Sequence, residues 1–268
     1  MRKIALRTLA LRTLALGYLL AILVGPVTFV FFRAFEHGLG DAWNAVTTPP
    51  ALHAFELTLL ITAIAVPANT VFGVLCALTI VRHPFRGKGL LNAVVDLPMA
   101  LSPVVVGLSL FLLYGRNGWF GSWFLEHGVQ ILFALPSMIL ATVFVSLPFV
   151  VREVVPVLRE IGSDQEQAAA TLGASRLQIF SRITLPAIRW AIAYGVVLTT
   201  ARSLGEYGAV SVVSGRIAGK TSTATLFVED RYQSFDLLGA YAASVVLALM
   251  AASVLLLMNL LRRKEGVR

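Results

Sequence analysis

Residues 214–222 read SGRIAGKTS, a stretch in which glycines lie next to a lysine and a threonine. Such residues could cradle a phosphate, as the P-loop of nucleotide-binding proteins does. That loop requires G-x-x-x-x-G-K-[ST] after a strand, so that backbone N–H groups surround the phosphate. Here only three residues separate Gly215 from Gly219, Ser214 stands where the first glycine belongs, and an apolar segment precedes the stretch. The spacing therefore does not indicate an ATP site.

A pair of charged side chains lies inside an apolar segment. Arg202 and Glu206 are four residues apart, so on a helix they share a face and can form an ion pair. Ionisable groups in such a segment are costly and usually face a protein interior or a watery cavity. Either the pair locks helix packing, or Glu206 holds Arg202 so that it provides positive potential along the route of an anion. Asp96, in another apolar segment, is expected to cap or pair with a neighbouring segment.

Other chemistry is not indicated. None of the four histidines has a second histidine or a cysteine at metal-ligand spacing, and the single cysteine, Cys76, lies in an apolar run. The chain has no arrangement of Ser, His and Asp, and no pair of carboxylates, at one plausible depth. We therefore predict that it is not an enzyme and that it holds no metal.

The composition is that of a membrane protein. Hydrophobic residues make up 57% of the 268 residues and charged residues only 13%, about half the usual share for a soluble domain. A membrane-spanning helix needs roughly 20 apolar residues. Six segments qualify, and the sequence therefore predicts an all-α polytopic membrane protein with spans at 14–32, 55–81, 90–114, 129–151, 190–213 and 238–261. Prolines inside several of them suggest kinked helices around a pathway.

The distribution of basic residues predicts the orientation. Six spans place both termini on one side, and sixteen of the 22 Lys and Arg residues lie in the tails, at 82–88 and in the connection 152–189. Five lie on the opposite side: Arg33, Arg116, Arg216, Lys220 and Arg231. By the positive-inside rule both termini are cytoplasmic. Topology thus explains the net charge of +8, and nucleic acid is not needed as a partner.

This orientation gives residues 214–222 two possible roles on the outer side. They form either a glycine-rich turn after the fifth span, or a gate loop in which Arg216 and Lys220 meet an arriving anion or the protein that delivers it.

The connection 152–189 is longer than a link between spans requires, and it carries helix signals. Ser163 and Glu166 have capping-box spacing, and Gly173 is placed to end the helix in the left-handed conformation. Ser175 can cap a second short helix, RLQIFSRI, which Pro186 is expected to stop. The sequence predicts two short helices at an angle, which either lie on the lipid headgroups or dock a soluble partner.

Residues 167–186, QAAATLGASRLQIFSRITLP, resemble the EAA loop of ABC-importer permeases, E-A-A-x3-G-x9-I-x-L-P. The residues in register are Ala168, Ala169, Gly173, Ile183, Leu185 and Pro186. In that family the loop is the coupling helix that sits in a groove of the ATP-binding subunit, so the resemblance implies that this loop docks an ATPase. The leading acid of the motif falls on Gln167, and Glu166 lies one residue out of register, about 100° around a helix.

The resemblance extends from residue 53 to residue 261. The segments 96–108 (DLPMALSPVVVGL), 144–158 (FVSLPFVVREVVPVL) and 201–221 (ARSLGEYGAVSVVSGRIAGKT) are similar to the sulfate/thiosulfate importer permeases, in particular the W-type subunit, and molybdate permeases are close relatives. The resemblance implies a type I ABC-importer permease domain over 53–261. Residues 1–52 then comprise a cytoplasmic tail, the first span and an outer loop, and 262–268 form a second cytoplasmic tail.

The same resemblance implies the partners. These are a T-type permease in a heterodimer, an ATPase homodimer and a periplasmic sulfate-binding protein, in the bilayer of a bacterial inner membrane. ATP and magnesium are expected on the ATPase and no cofactor on this chain. The alternatives are a permease for molybdate or tungstate, and a secondary anion transporter, a class that often shows inverted repeats. We find no convincing repeat, and a secondary carrier has no use for a docking loop.

Overall fold

The computed structural model describes residues 2–265, and the side chains of residues 11–256. Every regular element in that part of the chain is a helix, as predicted. Two π-helical turns, Leu20–Val24 and Phe180–Thr184, lie within longer continuous helices. The α-helices are α1 (Arg2–Leu19), α2 (Gly25–Phe35), α3 (Leu39–Val46), α4 (Pro49–Arg82), α5 (Lys88–Ala100), α6 (Pro103–Tyr114), α7 (Gly121–Glu126), α8 (Leu135–Ser146), α9 (Pro148–Glu160), α10 (Asp164–Thr171), α11 (Arg176–Ile179), α12 (Leu185–Leu204), α13 (Gly208–Val213), α14 (Ala224–Gln233) and α15 (Leu237–Glu265).

Among the described residues, five helical stretches are long and apolar enough to cross a membrane. They are Leu11–Phe35, Pro49–Arg82, Leu135–Glu160, Arg176–Leu204 and Leu237–Leu256. The pair α5 and α6 makes a sixth if it is counted as one bent span. This agrees with the prediction of six spans. Helix α15 continues through the predicted tail as far as Glu265, and residues 266–268 of that tail lie outside the described residues.

The third span is broken rather than kinked. Helices α5 and α6 meet at an angle of 111°, so the span predicted for 90–114 consists of two helices and is not one kinked helix. Leu101 and Ser102 are extended, with ψ of 142° and 136°, and Pro103 begins α6. A residue before proline is driven out of the helical region by the proline ring, and this explains the position of the break.

The predicted limits of the fourth and fifth spans are also corrected. The fourth begins at Leu135 instead of residue 129, because residues 129–134 form a loop in which the Phe133 N–H donates to the Val213 carbonyl. The fifth ends at Leu204 instead of residue 213. The chain turns at 205–207 and starts the separate short helix α13, which packs against α6 and α8.

The core contains close helix crossings. Gly73 of α4 and Gly195 of α12 both face Val150 of α9, and a Cβ at either glycine would lie 2.7 or 2.8 Å from Val150 atoms. Gly107 of α6 similarly faces the Ala209 carbonyl of α13. By contrast, no residue in the most apolar part of Leu11–Phe35 is buried within this chain. Helix α2 packs mainly against α15, where the rings of Phe29 and Tyr241 meet edge to face.

Candidate functional site: a docking loop and a line of charges

The C-terminal end of helix α10 and the turn after it form as the sequence predicts. Gly173 has φ of +86°, the left-handed conformation expected of a helix-ending glycine. Its N–H donates to the Ala170 carbonyl at 3.0 Å, and the Ala174 N–H donates to the Ala169 carbonyl at 3.0 Å. These two bonds close the helix and send the chain sharply towards α11.

The N-terminal end of α10 differs from the prediction. The capping box of Ser163 and Glu166 does not form, and the Ser163 hydroxyl accepts instead from the Gln167 side-chain amide at 2.7 Å. Glu166 points towards α4, where Arg82 lies 2.9 Å away. A carboxylate gains more from a nearby guanidinium than from one backbone N–H, and this competition explains the failure. Gln167 is exposed, and its side chain is used by the contact with Ser163.

The second helix of the loop is longer than predicted. The Ser175 cap is confirmed, because Ser175 and Gln178 form a reciprocal capping box. Pro186, however, does not stop the helix, which runs continuously from Arg176 to Leu204. The π-helical turn Phe180–Thr184 directly precedes α12, in which Pro186 occupies the first turn. At that point the missing N–H and the fixed φ of Pro186 cost little free energy, and the helix therefore continues past the proline.

The loop presents an apolar tip to solvent. Leu172 is 88% exposed and Leu177 is 75% exposed, on either side of the Gly173 turn. Of the residues that match the EAA pattern, Ala169 and Ile183 are half-buried. The exposed ones are Ala168, Gly173, Leu185 and Pro186. Between the loop and α4 runs an open groove of about 590 Å³, lined by residues that include Leu75, Ala170 and Phe180.

Arg202 and Glu206 do pair, but not on one helix face. Arg202 lies in the last turn of α12, whereas Glu206 lies beyond its end. Their Nη1 and Oε2 atoms are 2.6 Å apart, at the distance of an ion pair although not aligned as a hydrogen bond. Glu206 is 4% exposed, and its Oε1 accepts from the Ala209 N–H at 2.8 Å. Glu206 therefore joins α12 to the start of α13, while the Arg202 side chain remains 30% exposed.

Residues 214–222 form a closed turn. Gly215, Arg216 and Gly219 all have positive φ, so the chain reverses direction within a few residues. The N–H groups of Lys220, Thr221 and Ser222 all donate to the Ile217 carbonyl. Because these three donors are satisfied within the turn, they are not free to bind a phosphate, in agreement with the spacing argument.

The two cations of this turn differ in their surroundings. Arg216 pairs with Glu229 of α14 at 3.1 Å, and Lys220 contributes its carbonyl to His53 Nε2 at 3.2 Å, while the Lys220 side chain is exposed. A hydrogen bond with Glu229, reinforced by burial, raises the pKa of Tyr207 above its ordinary value. Tyr207 therefore stays protonated and donates to the carboxylate that also holds Arg216.

Sequence reasoning missed two residues that order the opposite end of the molecule. Arg82 and Thr184 both contact Glu166, yet Arg82 entered the sequence argument only as one of the basic residues counted for topology. Nearby, Arg152 of α9 binds Asp96 of α5 through two contacts, of which the one from Nε is 2.6 Å. The expectation that Asp96 pairs with a neighbouring segment is confirmed. In the sequence, only the length and charge of the Arg82 side chain could have suggested that it pairs with Glu166.

The chain thus combines long apolar helices, an exposed hairpin at one end and a bent third span. Residues 69–266 match the model of the binding-protein-dependent transport system inner membrane components. The chain belongs to this family. It is accordingly a multi-pass membrane protein of the transport permease class, which agrees with the helices described above.

Curated relatives of this permease are sulfate transport proteins by name. It is 50% identical to the sulfate transport system permease protein CysW of Synechocystis sp. over 94% of this chain and 91% of the relative. It is 40% identical to the sulfate transport system permease protein CysT of Escherichia coli, over 92% of this chain and 89% of that relative. The greater similarity is thus to the W-type protein.

The fold of the permease also has a solved counterpart. A bacterial alginate ABC transporter, crystallised in complex with an alginate pentasaccharide-bound periplasmic protein, superposes with a TM-score of 0.81. The match covers 98% of this chain and 95% of the other, at 19% identity. At that identity the match establishes the type I importer permease fold alone.

Proposed function

We propose that this chain is the W-type permease subunit of an ATP-driven importer of sulfate or thiosulfate. The observation that carries the proposal is the 50% identity to a CysW sulfate permease over nearly the whole chain. The apolar hairpin at one end of the spans supports it, since a secondary carrier has no use for such a surface.

The hairpin tip would dock the ATPase. Leu172 and Leu177 are large, exposed and separated by one tight turn, as suits a knob that enters a groove of a soluble subunit. Glu166, Gln167 and the EAA-type positions Ala168, Ala169, Gly173, Ile183, Leu185 and Pro186 form and support that knob. Two such knobs, one from each permease, would sit on an ATPase homodimer that binds ATP and magnesium. This chain would then catalyse no reaction and bind no cofactor itself.

The continuous helix Arg176–Leu204 would carry the motion. Its 29 residues span roughly 43 Å, enough to cross the hydrocarbon core. The knob is at one end of this helix and Arg202 is at the other. When ATP closes the two ATPase subunits, displacement of the knobs would therefore tilt α12 as a rigid lever and switch the bundle between inward and outward access.

The anion route would pass weakly binding cations. Arg202 retains exposure despite its pairing with Glu206, and Lys220 is exposed at the outer turn. Because Arg216 already pairs with Glu229, it would act as a gate that opens and not as a fixed binding group for the anion. Weak, shared donors suit conduction, since a tightly held divalent anion would not leave.

The remaining partners follow from the same family. A T-type permease, represented by the CysT relative, would complete the pathway as a heterodimer. A periplasmic sulfate-binding protein would deliver the anion, in the way that the related alginate transporter binds a periplasmic protein. The excess of basic residues in the tails and in 82–88 and 152–189 would set the cytoplasmic side of a bacterial inner membrane.

Co-purification and ATPase stimulation test this function. The chain is expressed with its native neighbours, and the purified complex is reconstituted with the binding protein loaded in turn with sulfate, thiosulfate, molybdate or tungstate. Sulfate or thiosulfate should stimulate ATP hydrolysis and uptake. Stimulation by molybdate or tungstate alone would favour a permease for those anions, and purification without any ATPase would contradict an ABC importer.

A further inference from the structure

Arg82, the last residue of α4, makes contacts with three other segments. Its Nη1 donates to the Leu158 carbonyl at 3.1 Å, and its Nη2 donates to the Gly162 carbonyl at 2.7 Å. These two carbonyls belong to the C-terminal end of α9 and the turn that follows. The same guanidinium contacts both carboxylate oxygens of Glu166, at 2.9 and 3.1 Å. These polar contacts of the Arg82 side chain are thus all made with the end of α9, the turn after it and the start of the loop.

Glu166 is held from a second direction. The Thr184 hydroxyl, in the π-helical turn before α12, donates to Glu166 Oε1 at 2.8 Å. Thr184 is buried, and the side chains of Arg82 and Glu166 are only 15% and 18% exposed. We call Arg82, Glu166 and Thr184 the coupling cluster, since it joins α4, the end of α9, α10 and the helix that becomes α12.

Little else fixes α10 to the spans. None of its residues is buried, and its contacts are mainly with α11 and the π-helical turn. Apolar packing therefore contributes little to its orientation, whereas a shielded ion pair with three further hydrogen bonds contributes much more than an exposed pair would. The contacts of Glu166 with Arg82 link α10 directly to the end of α4 and, through Arg82, to the end of α9.

We infer that the coupling cluster is a positioning device that makes α10 move together with α4, α9 and α12. Arg82 and Glu166 would touch neither the anion nor ATP, and would act by keeping the knob rigid against the spans. Without them the knob would still dock, but it would swing when the ATPase closes. The inference rests on the proposed function, since it needs an ATPase that pulls on the loop.

Transport per ATP tests this inference. The complete importer with its binding protein is reconstituted in vesicles, and labelled sulfate taken up is divided by ATP hydrolysed. Glu166→Gln and Arg82→Gln should each lower this ratio about fivefold to tenfold, the effect of one charge-assisted hydrogen-bond set, while ATP hydrolysis stays within about twofold. Asp164→Asn, an exposed acid on the same helix, is the matched control and should leave the ratio unchanged.

Two further variants separate positioning from folding. The double variant Arg82→Gln with Glu166→Gln should take up no less sulfate per ATP than the single variant with the lower ratio, because both changes remove the same cluster. Arg82→Lys keeps the charge and should recover part of the ratio. All ratios refer to the amount of assembled complex eluting from size exclusion, so that loss of folding does not lower them.

The outcomes are distinct. Unchanged ratios in both single variants, or losses that multiply in the double variant, would overturn the coupling cluster alone. A wild-type complex without ATP-dependent sulfate uptake would overturn the proposed function, and the inference with it.

Discussion

At the scale of residues, the Arg202–Glu206 pair combines a structural and a candidate transport role. Glu206 is buried, closes the turn between α12 and α13, and accepts from the Ala209 N–H. Its carbonyl also accepts from the Thr225 hydroxyl at 2.7 Å, so α14 is attached to the same corner. Arg202 neutralises this carboxylate while part of its guanidinium stays accessible. Glu206 therefore has the locking role, and the proposed electrostatic role would belong to Arg202.

The first prediction concerns Arg202→Ala. The change leaves the Glu206 carboxylate buried with a single N–H partner, and should lower the free energy of unfolding by roughly 1–3 kcal/mol. Thermal unfolding in detergent should show a lower midpoint, and sulfate uptake by the assembled complex should fall. Arg202→Lys, which keeps the charge, should restore much of the stability. Uptake that remains at the wild-type level in Arg202→Ala would exclude a pathway role.

At the scale of elements, close backbone contact holds the bent third span. A Cβ at Gly107 of α6 would lie 2.6 Å from the Ala209 carbonyl and 3.0 Å from the Val212 Cβ of α13. At the start of α13, Gly208 similarly approaches Pro103. The two short helices thus interlock along one side, and this interlocking keeps α6 turned away from the axis of α5.

Gly107→Ala is accordingly predicted to destabilise the protein by about 1–3 kcal/mol, since backbone atoms have to move to admit the methyl group. The thermal midpoint of the purified chain in detergent measures this. Gly17→Ala is the matched control, because a Cβ at Gly17 meets nothing within 4 Å. Equal midpoints for the two variants would show that α6 and α13 do not pack as described.

The docking hairpin provides a third prediction, at the same scale. Leu172→Ser and Leu177→Ser each remove an exposed apolar group, so the folded chain should keep its stability while binding to the ATPase weakens. Loss of one buried leucine side chain corresponds to roughly tenfold in dissociation constant. Titration of the purified ATPase onto the permease in nanodiscs measures it. Gln165→Ser, a polar change on α10, should leave the affinity unaltered, and an unaltered affinity in both leucine variants would contradict docking at this tip.

At the scale of the whole molecule, contacts group the loops at two ends. Arg82 brings the end of α4 together with the loop after α9, and His53 lies against residue 220 at the opposite end. The segments 82–88 and 152–189, which meet at Arg82, hold eight Lys and Arg residues. By the positive-inside rule, this end of the molecule is therefore predicted to be cytoplasmic.

Labelling of single cysteines is expected to reveal this orientation. In a Cys76→Ser background, Ser234→Cys lies on an exposed turn at one end and Gln165→Cys on the exposed hairpin at the other. An impermeant maleimide added to intact spheroplasts should modify Ser234→Cys alone, and both positions after lysis. Modification of Gln165→Cys in intact cells would reverse the orientation.

Local features of the chain were predictable from the sequence. Apolar stretches located the spans, because the length of a span depends on the thickness of the bilayer, but they did not locate the limits of the fourth and fifth spans. Gly173 and Ser175 also end and begin helices as expected, since both effects depend on backbone geometry within a few residues. The spacing of residues 214–222 excluded a P-loop for the same local reason.

Long-range partners were decided by the tertiary structure alone. Glu166 could bind either the N-terminus of its own helix or an arginine 84 residues away. Only the packing of α4 against α9 brings Arg82 close enough to bind the carboxylate in place of the backbone. The break was visible in the sequence as Pro103, but its angle of 111° was not, and α6 meets α13 only after folding. Helix ends and turns follow from nearest neighbours, whereas ion pairs and bends follow from elements that approach only after folding. The sequence by itself therefore determined the number of spans and the turn of the exposed hairpin, and the tertiary structure determined how that hairpin is held.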